Sequence, residues 1–193
     1  MQGKEGFRIK DKVVVGVAGM PGSGKGVFRR TVQKMGYPVV IMGDVVREEV
    51  KRRNLKPTPK NLGKTMLNLR ELEGPAAIAK RCILKVKKAT GRIVIVDGIR
   101  SLAEVEEFKK HFPNFILIAI HASPKRRYQR LFRRKRSDDP TNWETFKQRD
   151  LRELGVGMGA VIAAADRTIV NKGTLTQLKT EIRRVMKEML EDE

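Results

Sequence analysis

Short apolar runs alternate along this chain with longer stretches of helical periodicity. The runs occupy residues 13–18, 39–42, 93–96, 115–120 and, more weakly, 168–170. They are apolar at nearly every position rather than at alternate ones, the pattern of strands covered on both faces. Amphipathic stretches fill the gaps. One follows the first run over residues 28–35. Three more open on capping-box patterns: Ser101-Leu-Ala-Glu104, Thr141-Asn-Trp-Glu144 and Thr174-Leu-Thr-Gln177. The last predicts a helix with Leu178, Ile182, Val185, Met186 and Met189 on one face. Strand–helix alternation of this kind predicts a single α/β domain around a parallel sheet.

Two stretches exceed what a simple crossover needs. Between the second and third runs, Lys56-Pro-Thr-Pro59 and Gly74-Pro75 punctuate a helical stripe of Leu62, Met66, Leu69, Ala76, Ala79, Ile83 and Val86. The other is the polar, strongly basic segment 125–152. Both read as elaborations on one core.

Composition sharpens this picture. The 193 residues carry 42 Lys+Arg against 22 Asp+Glu, a formal charge of +20, with 40% hydrophobic residues. That length suits one domain, and the apolar content suffices for a core. The charge favours anionic partners: nucleotides, phosphorylated metabolites or nucleic acid. Aromatic residues make up 5% of the chain, which on the sequence alone offers an RNA no stacking platform. No apolar run approaches the ~20 residues of a membrane span, and the basic start lacks a signal peptide's apolar stretch. One cysteine, Cys82, excludes an internal disulfide and a multi-cysteine zinc site. A soluble, cytoplasmic protein is expected. His111, His121, Cys82, Trp143 and the methionines read as packing residues.

The most specific motif is Gly19-Met20-Pro21-Gly22-Ser23-Gly24-Lys25, which fits G-x-x-x-x-G-K between a predicted strand and a predicted helix. Glycines there let backbone N–H groups converge on phosphate oxygens, and the helix N-terminus adds partial positive charge. Lys25 is placed to reach the β- and γ-phosphates. The residues that follow are Gly26 and Val27, so the hydroxyl that often holds Mg²⁺ after the lysine is missing. Asn171-Lys-Gly-Thr174 begins like the guanine-reading N-K-x-D but ends in threonine, which argues against a regulatory GTPase.

Other candidates stand at the ends of predicted strands. Asp97 follows the third run, where a carboxylate can hold Mg²⁺ through water. Arg100 emerges beside it. Asp44 and Arg47 follow the second run three residues apart, on one side of a first helical turn, where an arginine can grip phosphate. In the basic segment, Arg127, Arg130 and Arg134 share a helical face, and Arg136 and Arg149 follow. Arginines that close over a triphosphate stabilise its transition state.

Together these motifs resemble the P-loop nucleoside-monophosphate-kinase group, of which adenylate kinase is the familiar member. Gly19 to Gly26 looks like that group's G-x-P-G-x-G-K-G loop, although its following threonine is Val27 here. Gly43-Asp-Val-Val-Arg47 is similar to the G-D-x-x-R segment whose arginine holds the acceptor phosphate. Val96-Asp-Gly-Ile-Arg100 looks like D-G-F-P-R with the arginine one residue early. Arg136-Ser-Asp-Asp139 and Arg149 resemble the lid's R-x-D-D and later arginine. Arg130-Leu-Phe-Arg-Arg134 and the 165–175 segment lean toward dephospho-coenzyme A kinase. That likeness implies that Asn171 to Gly173 touches adenine and that Asp44 is a base toward a sugar hydroxyl. Overall the chain most resembles an archaeal family of adenylate-kinase-like P-loop proteins, with Asp150-Leu-Arg-Glu-Leu-Gly155 among its hallmarks.

The resemblance implies a five-stranded parallel sheet of order 2-3-1-4-5 with helices on both faces. It further implies an acceptor-binding insertion over about 43–88 and an arginine-rich lid over about 124–153. The expected activity is transfer of the γ-phosphoryl of ATP, with Mg²⁺, to a nucleotide-like small molecule. Lys25 and the lid arginines Arg130, Arg134, Arg136 and Arg149 would stabilise the phosphoryl group, while Arg47 and Arg100 would orient the acceptor. A hydroxyl acceptor served by Asp44 is one alternative. An RNA-associated ATP-binding protein, motivated by the charge, is the other.

Overall fold

In the computed structural model, which describes residues 11–136 and 139–191, five parallel strands form one sheet. The chain runs β1 (Val13–Ala18), α1 (Lys25–Lys34), β2 (Val39–Ile41), α2 (Met42–Arg52), α3 (Pro59–Glu73), α4 (Ala77–Lys88) and β3 (Ile93–Asp97). It continues through α5 (Leu102–His111), β4 (Asn114–His121), α6 (Pro124–Arg134), α7 (Trp143–Gly155), α8 (Met158–Ala163), β5 (Arg167–Val170) and α9 (Leu175–Glu191). The strand order is β2-β3-β1-β4-β5, as the resemblance implied.

The unbroken apolar runs follow from a sheet covered on both sides. Val14, Val94, Val96 and Leu117 pack into one core layer with α2, α4, α5 and α8. Their strand neighbours Val13, Val15, Val17, Ile95 and Ile118 point the other way, onto α1 and α9. All five apolar residues expected on the α9 face are buried there. Cys82 is a free thiol buried on α4. Among the described residues no helix is long and apolar enough to cross a membrane.

The caps differ in detail from expectation. Thr174 and Gln177 form the expected reciprocal pair, Thr174 N–H donating to Gln177 Oε1 at 2.7 Å and Gln177 N–H to Thr174 Oγ1 at 3.2 Å. Ser101 caps α5 by accepting from Glu104 N–H at 3.4 Å. Glu104 itself accepts from Arg100 N–H at 2.8 Å and from Arg70 at 2.9 Å, so it ties the turn after β3 to α3. Helix α7 is capped by Asn142 rather than Thr141: Asn142 Oδ1 accepts from Thr145 N–H at 2.9 Å. The Thr145 hydroxyl replaces Glu144 as the reciprocal acceptor, which shifts the box by one residue. Met42 likewise opens α2 instead of ending β2; its apolar side chain is buried there and continues the apolar run of β2, so hydropathy alone misplaces it.

This topology creates the crevice that positions the site. From β1 the chain moves outward to β2 and returns through β3, then builds β4 and β5 on β1's other flank. The C-terminal end of β1 therefore lies where the winding reverses, the place where open α/β sheets bind ligands. Val17 pairs in register with Asp97 on one side, and Ala18 with Ala119 on the other.

Candidate functional site

The loop between β1 and α1 sits in that crevice, as its sequence predicted. Its backbone requires glycine at Gly19, Gly22 and Gly24, of which the last two show the reason. Gly22 has φ +80°, and an added Cβ would lie 2.8 Å from the Arg127 carbonyl oxygen; Gly24 has φ +124°, with a Cβ 2.6 Å from Asn171 Nδ2. Helix α1 starts at Lys25, so the N–H groups of Lys25 and Gly26 precede any intrahelical acceptor and, with the helix dipole, suit an anion. Ser23 Oγ is buried without a hydrogen-bond partner. Val27 packs partly against the α1–α9 core layer.

Lys25 folds back over its own loop. Its Nζ donates closely to the Gly19 carbonyl and at 3.3 Å to that of Met20. Burial pushes its ammonium down to about 8; Asp97 and Glu153 work against that shift, and Arg100 and Arg149 add to it. Lys25, Asp97, Arg100, Arg149 and Glu153 thus share one electrostatic neighbourhood, drawn from the loop, the end of β3 and α7. Asp97 is buried, and burial raises its carboxyl above the usual range against the pull of Lys25, Arg29 and Arg100. Its contact with Arg29 is long, 3.5 Å. Among the described residues there is no group of three or more His, Cys, Asp or Glu side chains that could hold a metal by themselves.

The arginines divide by what they hold. Arg130 is already seated on the loop, its guanidinium reaching the Gly22 and Ser23 carbonyls at 3.4 Å each. It also donates to the Asn171 carbonyl at 3.2 Å and to Asn171 Oδ1 at 3.0 Å. Arg130 therefore stands against the phosphate loop without any movement of α6. Asn171, buried, donates from Nδ2 to the Ser23 carbonyl at 2.7 Å, so its side chain is committed to the loop, and its backbone N–H donates to the His121 carbonyl at 2.7 Å. Arg134 pairs with Asp139 through Nε at 2.9 Å, Arg149 lies 3.6 Å from the same carboxylate, and Arg136 N–H donates to it at 2.9 Å. The Arg134 hydrogen bonds hold the Asp139 carboxyl below its usual range. Ser137 and Asp138 of this motif lie outside the described residues.

On the opposite flank, Asp44 and Arg47 meet in an exposed ion pair on the first turn of α2, as their spacing required. Arg100 spans to α7, its Nη1 donating to both Glu153 oxygens at 3.0 and 2.9 Å. Arg47 and Arg100 stand on separate elements, one engaged by its own helix and one by α7.

Sequence reasoning placed Arg127 on a helical face with Arg130 and Arg134 but did not find its partner, and it gave no role to Asp150, Arg29 or Glu153. Arg127 is buried and grips Asp150 with two bonds of 2.7 and 2.5 Å, while also donating to the Pro21 carbonyl of the loop at 3.3 Å. A signal was present: Asp150 and Glu153 are the acidic residues of Asp150-Leu-Arg-Glu-Leu-Gly155, three apart on one face of α7. Two packing assignments also fail: His111 and His121 are both exposed. Trp143 packs against Tyr128 and Phe146 but keeps 41% of its surface exposed.

A phosphate loop at the switch point of a 2-3-1-4-5 parallel sheet, faced by a strand-end carboxylate and helical arginines, defines a P-loop protein of kinase-like architecture. Residues 18–147 match the family model described as an AAA domain. A UPF0200 protein of Hyperthermus butylicus is 47% identical over 175 residues, covering 91% of this chain and 94% of that protein. A UPF0200 protein of Methanocaldococcus jannaschii is 46% identical over 180 residues, covering 92% and 91%. The chain belongs to the UPF0200 family of archaeal P-loop proteins. Among solved structures, shikimate kinase from Acinetobacter baumannii in complex with shikimate superposes with a TM-score of 0.58 at 14% identity, over 96% of this chain and 97% of that one. That likeness is one of fold.

Proposed function

We propose that this protein transfers the γ-phosphoryl group of ATP to a nucleotide-like small molecule. The supporting observation is the gathering of Lys25, Asp97, Arg100 and Arg149 at a glycine-rich loop that opens a helix. An acceptor oxygen attacks the γ-phosphorus, the bond to the β–γ bridging oxygen breaks, and ADP leaves with the electron pair. Positioning and charge compensation supply most of the acceleration for such a transfer. The Gly19–Val27 loop cradles the phosphates, with the N–H groups of Lys25 and Gly26 at the start of α1 as donors. Lys25 turns from the Gly19 carbonyl to the β- and γ-phosphates. Arg134, Arg136 and Arg149, gathered by Asp139, meet the transferring group, and Arg130 holds the loop in shape. Adenine lies against the backbone between Asn171 and Gly173. Residues 43–88 form the acceptor side, with Arg47 and Arg100 as its anion grips, and residues 124–153 form the lid.

The residues present fit a Mg²⁺ ion bound mainly by phosphates and water. Asp97 offers one buried carboxylate with a single long contact to Arg29, and Mg²⁺ commonly takes one or two carboxylates plus substrate phosphates. Bound there, the ion would neutralise charge on the β- and γ-oxygens. Asp97 is the residue that would hold it, through water.

Labelled ATP offered with nucleoside monophosphates, dephospho-coenzyme A and RNA ends tests the reading. Label is expected on a small nucleotide-like acceptor; ATP binding without any acceptor beyond water would overturn it.

The ion pair between Asp44 and Arg47 separates two acceptor chemistries. A phosphate acceptor is already an anionic nucleophile and needs no base. A hydroxyl gains ~10²–10⁴-fold from a positioned carboxylate. We expect the phosphate, because Asp44 is engaged by Arg47 on its own helix. Asp44→Asn should then leave kcat within about fivefold, since an exposed pair contributes at most ~1 kcal/mol. It should also lower the acceptor KM by freeing Arg47. A kcat lowered by two or more orders of magnitude, with ATP affinity retained, would assign the hydroxyl chemistry instead.

A further inference from the structure

Seven Phe, two Tyr and one Trp are all the aromatic residues of the chain, and four of these rings meet at one place on its surface. Tyr128 and Phe132 come from α6, Trp143 and Phe146 from α7. Tyr128 lies 5.7 Å from Phe132, 5.2 Å from Trp143 and 5.6 Å from Phe146, and Trp143 stacks on Phe146 at 5.0 Å. Phe146 is buried, but Phe132 is 47% exposed and Trp143 41%. A hollow of about 250 Å³ opens beside them, walled by Pro124, Trp143, Phe146, Lys147, Asp150 and Leu151. Grouped exposed rings of this kind mark a contact surface more often than a packing remainder.

The charge around the rings says what kind of contact. Helix α6 has the sequence PKRRYQRLFRR, with no acidic residue. Lys125, Tyr128 and Phe132 follow one another at helical spacing and share a face; Arg126 and Arg133 form the adjoining ridge. Those three cations are exposed. The nearby acids are occupied: Glu144 lies 3.7 Å from Lys147, and Asp150 is held by Arg127. An apolar peptide would leave this cationic rim unmatched. A duplex would match the rim but hide its base faces. A single-stranded polynucleotide offers phosphates and unpaired planar bases together, and RNA is the polynucleotide that regularly exposes unpaired bases.

We propose that the outer face of α6 and α7 binds single-stranded RNA, with bases stacked on Phe132 and Trp143 and phosphates held by Lys125, Arg126 and Arg133. The surface is separate from the phosphate loop, which α6 meets through Arg127 and Arg130. The proposal therefore stands whether or not the protein is a phosphotransferase.

Trp143 is the chain's one tryptophan, so its emission reads this surface directly. Titration with an unstructured single-stranded RNA is expected to quench that emission to saturation. Three phosphate contacts predict an affinity falling with salt at a log–log slope near −2. Phe132→Leu should weaken binding about 5- to 150-fold, the range of one lost base stack. Lys125→Gln with Arg133→Gln should flatten the slope by about 1.4. Both variants alter exposed side chains, so an unchanged melting temperature confirms that each is folded. A saturating non-hydrolysable ATP analogue should leave the quench in place. Any of four results overturns the proposal: no quench at low salt, equal affinity for a duplex of the same sequence, unaltered binding by Phe132→Leu, or displacement of the RNA by the ATP analogue.

Discussion

Replacing Lys25 by alanine is expected to lower the rate of phosphoryl transfer by about 10²–10³, the usual loss when one preorganised charge-stabilising donor is removed. The loop would survive the change, because its shape is held by other groups: Asn171 Nδ2 on the Ser23 carbonyl at 2.7 Å, Arg130 across Gly22 and Ser23, and Arg127 on Pro21. Stability should not fall either. Folding moves the Lys25 ammonium from its ordinary value near 10.5 down to about 8 through burial. The folded chain therefore binds fewer protons than the unfolded one between those values, and the group's contribution to stability rises with pH across that window. Below pH 8 the lysine is charged, half-buried and unfavourable, and alanine removes that penalty. Single-turnover measurements with labelled ATP, beside thermal melts at pH 7, check both halves. A variant with wild-type turnover and wild-type ATP affinity would remove the phosphate loop from the proposed reaction.

The same displaced value predicts a pH signature for ligand binding. Without ligand, Lys25 loses its proton near pH 8. Triphosphate beside it favours the charged form and draws the proton back. Above pH 8, binding must then take up a proton, and ATP affinity should fall by up to tenfold per pH unit. Calorimetry in buffers of different ionisation enthalpy reads that proton directly. Lys25→Ala should show neither the uptake nor the slope, and a wild-type protein with pH-independent affinity from 7 to 9 would contradict the assignment of Lys25 to the phosphates.

What the sequence disclosed was local. The phosphate loop was legible because a buried parallel strand, a fixed glycine spacing and a helix start lie within about fifteen consecutive residues. The α9 cap was legible because Thr174 and Gln177 satisfy each other three residues apart. Errors arose where two readings shared one local pattern. Met42 is apolar and buried, which suits a strand end as well as a helix start, and Thr141 and Asn142 are adjacent residues that can both cap. Side-chain pairings between distant elements could not be read. Arg127 and Asp150 are 23 positions apart on different helices, and only the packing of α6 against α7 brings them together. Exposure of Trp143 was hidden for a related reason: hydrophobicity marks a ring as sticky and does not say which partner covers it. The arginines show the same limit most clearly. Spacing placed Arg127, Arg130 and Arg134 on one helical face, yet the three hold different things: Asp150 with Pro21, the loop with Asn171, and Asp139.

Arg127 is where we expect the largest loss of stability. Its guanidinium is enclosed: it donates from Nε to the Ala122 carbonyl at 3.1 Å, grips Asp150 with two bonds, reaches Pro21 and lies 5.1 Å from the Phe146 ring centre. It thereby joins the end of β4, the phosphate loop and α7. Arg127→Ala leaves the Asp150 carboxylate, 15% exposed, without its cation. Breaking one partner out of a buried pair costs about 3–5 kcal/mol, which for a chain of this size lowers Tm by roughly 6–20 °C. Arg127→Lys should recover only part of this, since an ammonium cannot reproduce the two-pronged contact. The double change Arg127→Leu with Asp150→Leu separates two roles. Apolar residues can replace a buried pair at little cost, so the melting temperature should return toward wild type. The Pro21 carbonyl would still lack its donor, and ATP affinity should stay reduced. Thermal melts with calorimetric ATP titrations on the three variants decide the matter. If Arg127→Ala melts within about 2 °C of wild type, the loss an exposed pair would give, the contact is peripheral and α6 does not brace the loop. If the double variant regains both stability and ATP affinity, the pair supports the fold alone and the loop takes its shape without it.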